Sequence, residues 1–88
     1  MTHHAAPDFW QCYRALPLEL RTLADKAFVL LKADPTHPSL HFKKAGRFWS
    51  ARVGLHNRAL GIEVDDGVLW FWIGSHAQLE AMLNMIDS

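Results

Sequence analysis

The chain has a single cysteine, Cys12, so it can form no internal disulfide, and nothing in it has zinc-ligand spacing. With Phe9, Trp10, Tyr13 and Leu16 nearby in sequence, that thiol is expected to be a buried helix residue rather than a reactive one. Long apolar runs are missing too. Nothing approaches the roughly 20 consecutive apolar residues of a membrane span, and the opening "MTHHAAPD" has no apolar centre of the kind a secretory signal needs. A reducing, cytoplasmic setting without a membrane partner is therefore expected. Proline and glycine are few, at 4 and 5 in 88 residues, and they cluster into no linker, repeat or low-complexity tract. This length holds one domain, 1–88, in which the polar stretch 1–7 is expected to be a disordered extension.

The most informative absence is of one sign of charge. Basic and acidic residues balance at nine each. Yet no Asp or Glu occurs between Asp34 and Glu63, whereas Lys43, Lys44, Arg47, Arg52 and Arg58 all fall there, with His37, His41 and His56. Such a window creates a local positive potential within a neutral protein. It suits phosphate or an acidic partner segment; a solvated edge strand charged to resist aggregation would account for it as well.

Half of the residues are hydrophobic, with four Trp and five Phe, enough for a compact core. Asp8 fits as the cap of a short helix from Phe9 to about Ala15. Pro17 fits the first turn of a second, reaching about Lys32, in which Leu20, Leu23, Ala24, Ala27, Phe28 and Leu31 form one apolar stripe. Pro35 and Pro38 stop it. The period then changes to that of strands: "SLHF" as a short extended piece, then "RFWSARVGL", "RALGIEV" and "VLWFWIG". Asp65, Asp66 and Gly67 form a tight turn, "GLHN" a looser one, and Ser75 caps a closing helix. The fold class is α+β: two N-terminal helices on one face of a twisted, mainly antiparallel sheet of three to four strands, then a short C-terminal helix.

Strict alternation assigns Trp49, Ala51, Val53, Leu60, Ile62, Val64, Leu69, Phe71 and Ile73 to the helix-covered face. It leaves Phe48, Ser50, Arg52, Ala59, Gly61, Glu63, Trp70 and Trp72 on the open one, as a shallow trough. Packing of Trp70 and Trp72 on a helix or on a second copy is the competing reading.

The run "LP.EL…ADKAF.LLK.DP.HPSL.FKK", then "W.ARVG..NRALG" and "WIGSH", resembles the RelE/ParE superfamily of type II toxin–antitoxin systems, and most of all its small RelE-like toxins. The likeness extends from about Phe9 to Leu83, and its force lies in the order and spacing of short motifs. It implies two helices on a twisted antiparallel sheet. Members of the superfamily usually open with an edge strand, which "MTHHAAP" is expected not to provide, leaving a sheet edge open for self-pairing. Many ribosome-directed members are also strongly basic, whereas this chain is neutral, with a pI near 7.0.

The resemblance further implies a cytoplasmic endoribonuclease that cleaves mRNA on the ribosome, inhibits translation and is neutralised by a cognate antitoxin. Carried over by position, its catalytic places fall on Lys43 or Lys44, Arg52, Arg58 and His76. Cleavage through the RNA 2′-hydroxyl needs a base, an acid and cations around the phosphate. His76 suits proton transfer, Arg52 bidentate phosphate binding and the lysines added point charge. Arg47, Trp70 and Trp72 are candidates for RNA binding, the indoles by stacking on a base. Glu63 is a weaker candidate for the base. No metal and no cofactor is implied. Two alternatives remain open: a ParE-like inhibitor that binds DNA gyrase without chemistry, and an inactive homologue with only a binding role.

Overall fold

The computed structural model describes the backbone of residues 1–87 and all their side chains except those at 83 and 85–87. The chain runs β1 (Thr2–Ala5), α1 (Pro7–Arg14), α2 (Leu18–Ala33), a 3₁₀ turn (Pro38–Leu40), β2 (Lys43–Ala45), β3 (Phe48–Val53), β4 (Asn57–Val64), β5 (Gly67–Ser75) and α3 (His76–Asp87). The α+β class and the placement of the helices match the reading of the sequence. The sheet has five strands rather than three or four, in the order β1-β5-β4-β3-β2. All neighbours are antiparallel except β1 and β5, which run parallel.

Local chemistry explains most boundaries. α1 starts on Pro7, whose missing N–H is no loss in a first helical turn, so Asp8 lies inside that turn instead of capping it. α2 stops at Ala33, before the Asp34–Pro35 pair. The piece "SLHF" is not extended: Pro38 opens a 3₁₀ turn, and the His37 ring accepts a hydrogen bond from the Ser39 amide at 3.2 Å. The extended segment begins only at Lys43. Ser75 and Gln78 cap α3 reciprocally. The Gln78 amide donates to Ser75 Oγ at 3.0 Å, and the Ser75 amide donates to Gln78 Oε1 at 2.9 Å.

The N-terminal stretch corrects an expectation, because residues 2–5 are a strand rather than a disordered extension. Thr2 N–H donates to the Asp66 carbonyl at 2.9 Å and Ala6 N–H to the Trp70 carbonyl at 2.8 Å. Two side chains add to this: His4 Nε2 bonds the Asp66 carboxylate at 3.0 Å, and Trp70 Nε1 donates to His3 Nδ1 at 3.1 Å. Position 67 must be glycine for the strand to dock, since a Cβ there would lie 1.9 Å from the Thr2 carbonyl oxygen. The β5 edge expected to stand open is therefore covered by β1.

The register also corrects the assignment of faces. Residues directly opposite across strands share a face. Lys44 pairs with Trp49, Trp49 with Gly61 and Gly61 with Trp70; Ala51 pairs with Ala59, and Ala59 with Ile73. These residues share the helix side of the sheet, with Lys44 exposed at its β2 edge. Leu60 pairs with Ser50 and Trp72, and Ile62 with Phe48 and Leu69, on the opposite face. Between them a β-bulge at Phe71 resets the alternation of β5, so that Trp70 and Trp72 face opposite ways.

The core is Ala24, Leu31, Leu40, Ala51, Val53, Ala59, Val68, Trp70 and Ile73, with Leu40 and Val68 sealed. Its small residues leave a gap. An apolar cleft of about 370 Å³ opens between α1 and α2, floored by Ala51, Ala59 and Ile73 and rimmed by Phe9, Tyr13 and Phe28. Tyr13 Oη bridges the two helices by donating to the Asp25 carboxylate at 2.7 Å.

Candidate functional site

The open face of the sheet is graded from apolar to basic. Its apolar end holds Phe48, Ile62 and Leu69 in one cross-strand row, with Phe71 meeting Phe48 edge-on at 6.4 Å between centroids. The middle row runs Lys43, Ser50, Leu60, Trp72. The last row is Arg52, Arg58, Gly74. Register alone thus brings Lys43, Arg52 and Arg58 to one corner. Lys43 is the diagonal neighbour of Arg52, roughly 7–8 Å away.

No ion pair among the described residues compensates that corner. Arg52 and Arg58 are a directly opposed, like-charged cross-strand pair, an arrangement that destabilises a sheet. Among the described residues the ion pairs are His4–Asp66, Lys44–Glu63 and His76–Glu80, and none reaches Lys43, Arg52 or Arg58. Arg52 is held instead by a carbonyl and a ring nitrogen: its Nε donates to the Gly54 carbonyl at 2.9 Å and its Nη1 to His41 Nε2 at 3.3 Å. Two arginines at directly opposed strand positions and a lysine one row away supply the kind of charge and N–H donors that a multiply charged anion such as phosphate would need.

His76 opens α3 immediately beyond this row. Its amide donates to the His56 carbonyl at 2.7 Å, which ties α3 to the start of β4. Its Nε2 contacts Glu80 at 2.9 Å, one helical turn on. The other proposed site residues lie elsewhere. Lys44 is on the helix side, beside Trp49 and ion-paired with Glu63. The lysine holds the Glu63 carboxyl below its usual range, through a hydrogen bond and through its charge. Glu63 shares the face of buried Val68, so it is not the base of the open face. Arg47 sits in the β2–β3 turn, about 17 Å along β3 from Arg52 at some 3.3 Å per residue. Trp70 is 6 % exposed, stacked on His3 at 6.1 Å and over Gly61, where no base can reach it. Trp72 alone of the two indoles belongs to the open face.

His41 is the contributor that sequence reasoning passed over. Position in the basic window was its only signal, and the contact with Arg52 depends on the 3₁₀ turn. Its backbone is left-handed, with φ 43° and ψ 44°, the one non-glycine residue with positive φ among those described.

An α+β domain with helices on one sheet face and, at a corner of the other, cations without an ion pair among the described residues is the class these observations define. No family model matches the sequence, and no curated protein matches it. Solved structures do. The chain is similar to the RelB-RelE antitoxin–toxin complex from Methanococcus jannaschii, with a TM-score of 0.70 at 13% identity over 90% of this chain and 96% of that one. It is also similar to a copper-bound mutant toxin from Helicobacter pylori, with a TM-score of 0.62 at 16% identity over 90% and 98%. The isolated E. coli RelE toxin gives 0.61 at 13% identity over 94% and 96%. The chain has the fold of the RelE toxins over nearly its whole described length.

Among the described residues, no helix is long and apolar enough to cross a membrane. Nor do three His, Cys, Asp or Glu side chains among them gather as metal ligands.

Proposed function

We propose that the protein is a RelE-like toxin of a toxin–antitoxin pair, an endoribonuclease that cuts mRNA on the ribosome without a metal and is silenced by a cognate antitoxin. The observation that carries this reading is the opposed Arg52–Arg58 pair, which has no carboxylate partner among the described residues. A sheet retains such a repulsive pair at a cost, and a bound phosphate would reverse the sign of that cost.

In this reading the 2′-oxygen attacks the adjacent phosphorus and the 5′-oxygen leaves, giving a cyclic phosphate. One proton is removed from the 2′-hydroxyl and one is delivered to the leaving oxygen. Arg52 and Arg58 clamp the phosphoryl oxygens as negative charge builds in the transition state, and Lys43 adds a third positive charge. His76 transfers one of the protons, as acid or base. Trp72 stacks a base beside the scissile bond. The test is inducible expression followed by primer-extension mapping of transcript ends. New, discrete ends after induction are expected; intact transcripts at growth-arresting levels would end this reading.

The apolar part of the same face favours a second reading. Phe48, Leu60, Ile62, Leu69 and Phe71 form a surface better suited to a protein than to RNA, as a gyrase inhibitor acting by binding alone would need. His76→Gln separates the two, because an inhibitor that only binds keeps its toxicity while the nuclease loses most of its rate.

A further inference from the structure

We infer that His41 is the positioning residue of the phosphate clamp: its ring nitrogen and the Gly54 carbonyl together lock the Arg52 guanidinium in the plane that faces the open side of the sheet. This rests on the nuclease reading for its consequence but not for its geometry. Arg52 Nε is fixed by the Gly54 carbonyl at 2.9 Å and Nη1 by His41 Nε2 at 3.3 Å. Two anchors on different nitrogens of a planar group remove its rotation and leave Nη2 for an anion.

The backbone supplies an independent reason. His41 closes the 3₁₀ turn at φ 43°, a conformation that glycine or asparagine adopts with least strain. A histidine placed there is strained, and what it holds in return is Arg52. The charged and titratable groups around it are Arg52 itself, Arg58 opposite Arg52, Lys43 two residues along and His37 at the head of the turn. Among the described residues none of these is in an ion pair.

The experiment compares wild type with His41→Gly and His41→Gln by two readouts. The first is the NMR signal of the Arg52 Nε–H, which reports the lock whether or not RNA is cut. The second is ribosome-dependent cleavage, with and without added imidazole. His41→Gly should fold at least as stably as wild type, since the strain is relieved. It should nonetheless broaden or lose the Arg52 signal and cleave about 10- to 100-fold more slowly, the scale of a misplaced catalytic group. Free imidazole should restore part of the rate. His41→Gln keeps an acceptor for Arg52 Nη1, so it should retain the Arg52 signal and cleave within a few-fold of wild type. Should glycine loosen the turn, His41→Asn, which also tolerates this backbone, gives the same comparison. A cleaving wild type with His41→Gly unchanged in rate and in Arg52 signal would overturn the inference. Absence of cleavage by wild type, with the Arg52 signal still lost in His41→Gly, would leave the lock standing and refute the nuclease reading instead.

Discussion

Trp70 and Trp72 are two residues apart, and strict alternation would give them one role. The register gives them opposite ones, so truncating each should have opposite consequences. Trp70 is 6 % exposed and packs over Gly61 while donating to His3. Replacing such a residue by alanine costs about 3–5 kcal/mol. A domain of this size has only about 4–13 kcal/mol in total, at 0.05–0.15 per residue. With a urea slope of about 1 kcal/mol per molar, the unfolding midpoint of Trp70→Ala should fall by about 3 M or more. Trp70→Phe keeps most of the volume and loses the N–H donor, for about 1 kcal/mol. Trp72→Ala uncovers a half-buried ring on the open face and should cost about 1–2 kcal/mol, while weakening RNA binding. Circular dichroism in urea, paired with an RNA-binding titration, reads both effects. Equal destabilisation by the two alanines, or an RNA defect in Trp70→Phe matching that of Trp72→Ala, would refute the assignment of faces.

Acid should loosen the N-terminal strand. Burial lowers the His3 pKa below the usual imidazole value, helped by the positive charges of the N-terminal amine, His4 and Lys32. The unfolded state then binds more protons, so stability from His3 is complete above about pH 6.5 and is lost as pH falls through the lowered value. The Asp66 carboxyl, held below its usual range chiefly by its hydrogen bond to His4, contributes stability above the usual carboxylate value that is lost only in stronger acid. NMR titration of the Trp70 indole N–H should show a single transition below pH 6.5, and a transition above it would contradict the account. Gly67→Ala forces a methyl group against the Thr2 backbone, so β1 should detach. The Ala6 amide would lose its hydrogen-exchange protection while Val68 stays protected. A cognate antitoxin that covers the basic window should associate more slowly as salt rises and should protect the Phe42–Gly54 backbone; protection confined to α2 would argue against occlusion of the site.

Legibility differed between elements for physical reasons. The helices were readable because Pro17 and Pro35 fix boundaries and because the apolar period of α2 is strong, although α1 starts on Pro7 and not after a cap at Asp8. Strand β4 was misread in its facing: "NRALGIEV" carries small residues on one side and large aliphatics on the other. Greasiness pointed to Leu60 and Ile62 as core, but Trp70 needs the space above Gly61, and Ala51 and Ala59 floor the cleft between α1 and α2. The bulge at Phe71 has no sequence signal, so the opposite orientations of Trp70 and Trp72 required the pairing of β4 with β5. Strand β1 was hidden by its brevity: its polar residues bond to Asp66 and Trp70, partners more than 60 positions away. At the site, the basic window was plain, and so was the parity of Arg52. The choice between Lys43 and Lys44 was not, since it depends on where β2 begins.

Cleavage by purified protein on ribosomes programmed with a defined mRNA, comparing Arg52→Ala and Arg58→Ala with Lys44→Ala, tests the central claim most directly. Lys44 belongs to the same basic window but faces away, bound to Glu63. If the opposed arginines clamp the scissile phosphate, each arginine variant should lose about 100-fold or more in rate, as loss of a transition-state hydrogen-bond donor does, while Lys44→Ala stays within a few-fold of wild type. Equal activity in all three variants, or a loss confined to Lys44→Ala, would contradict it.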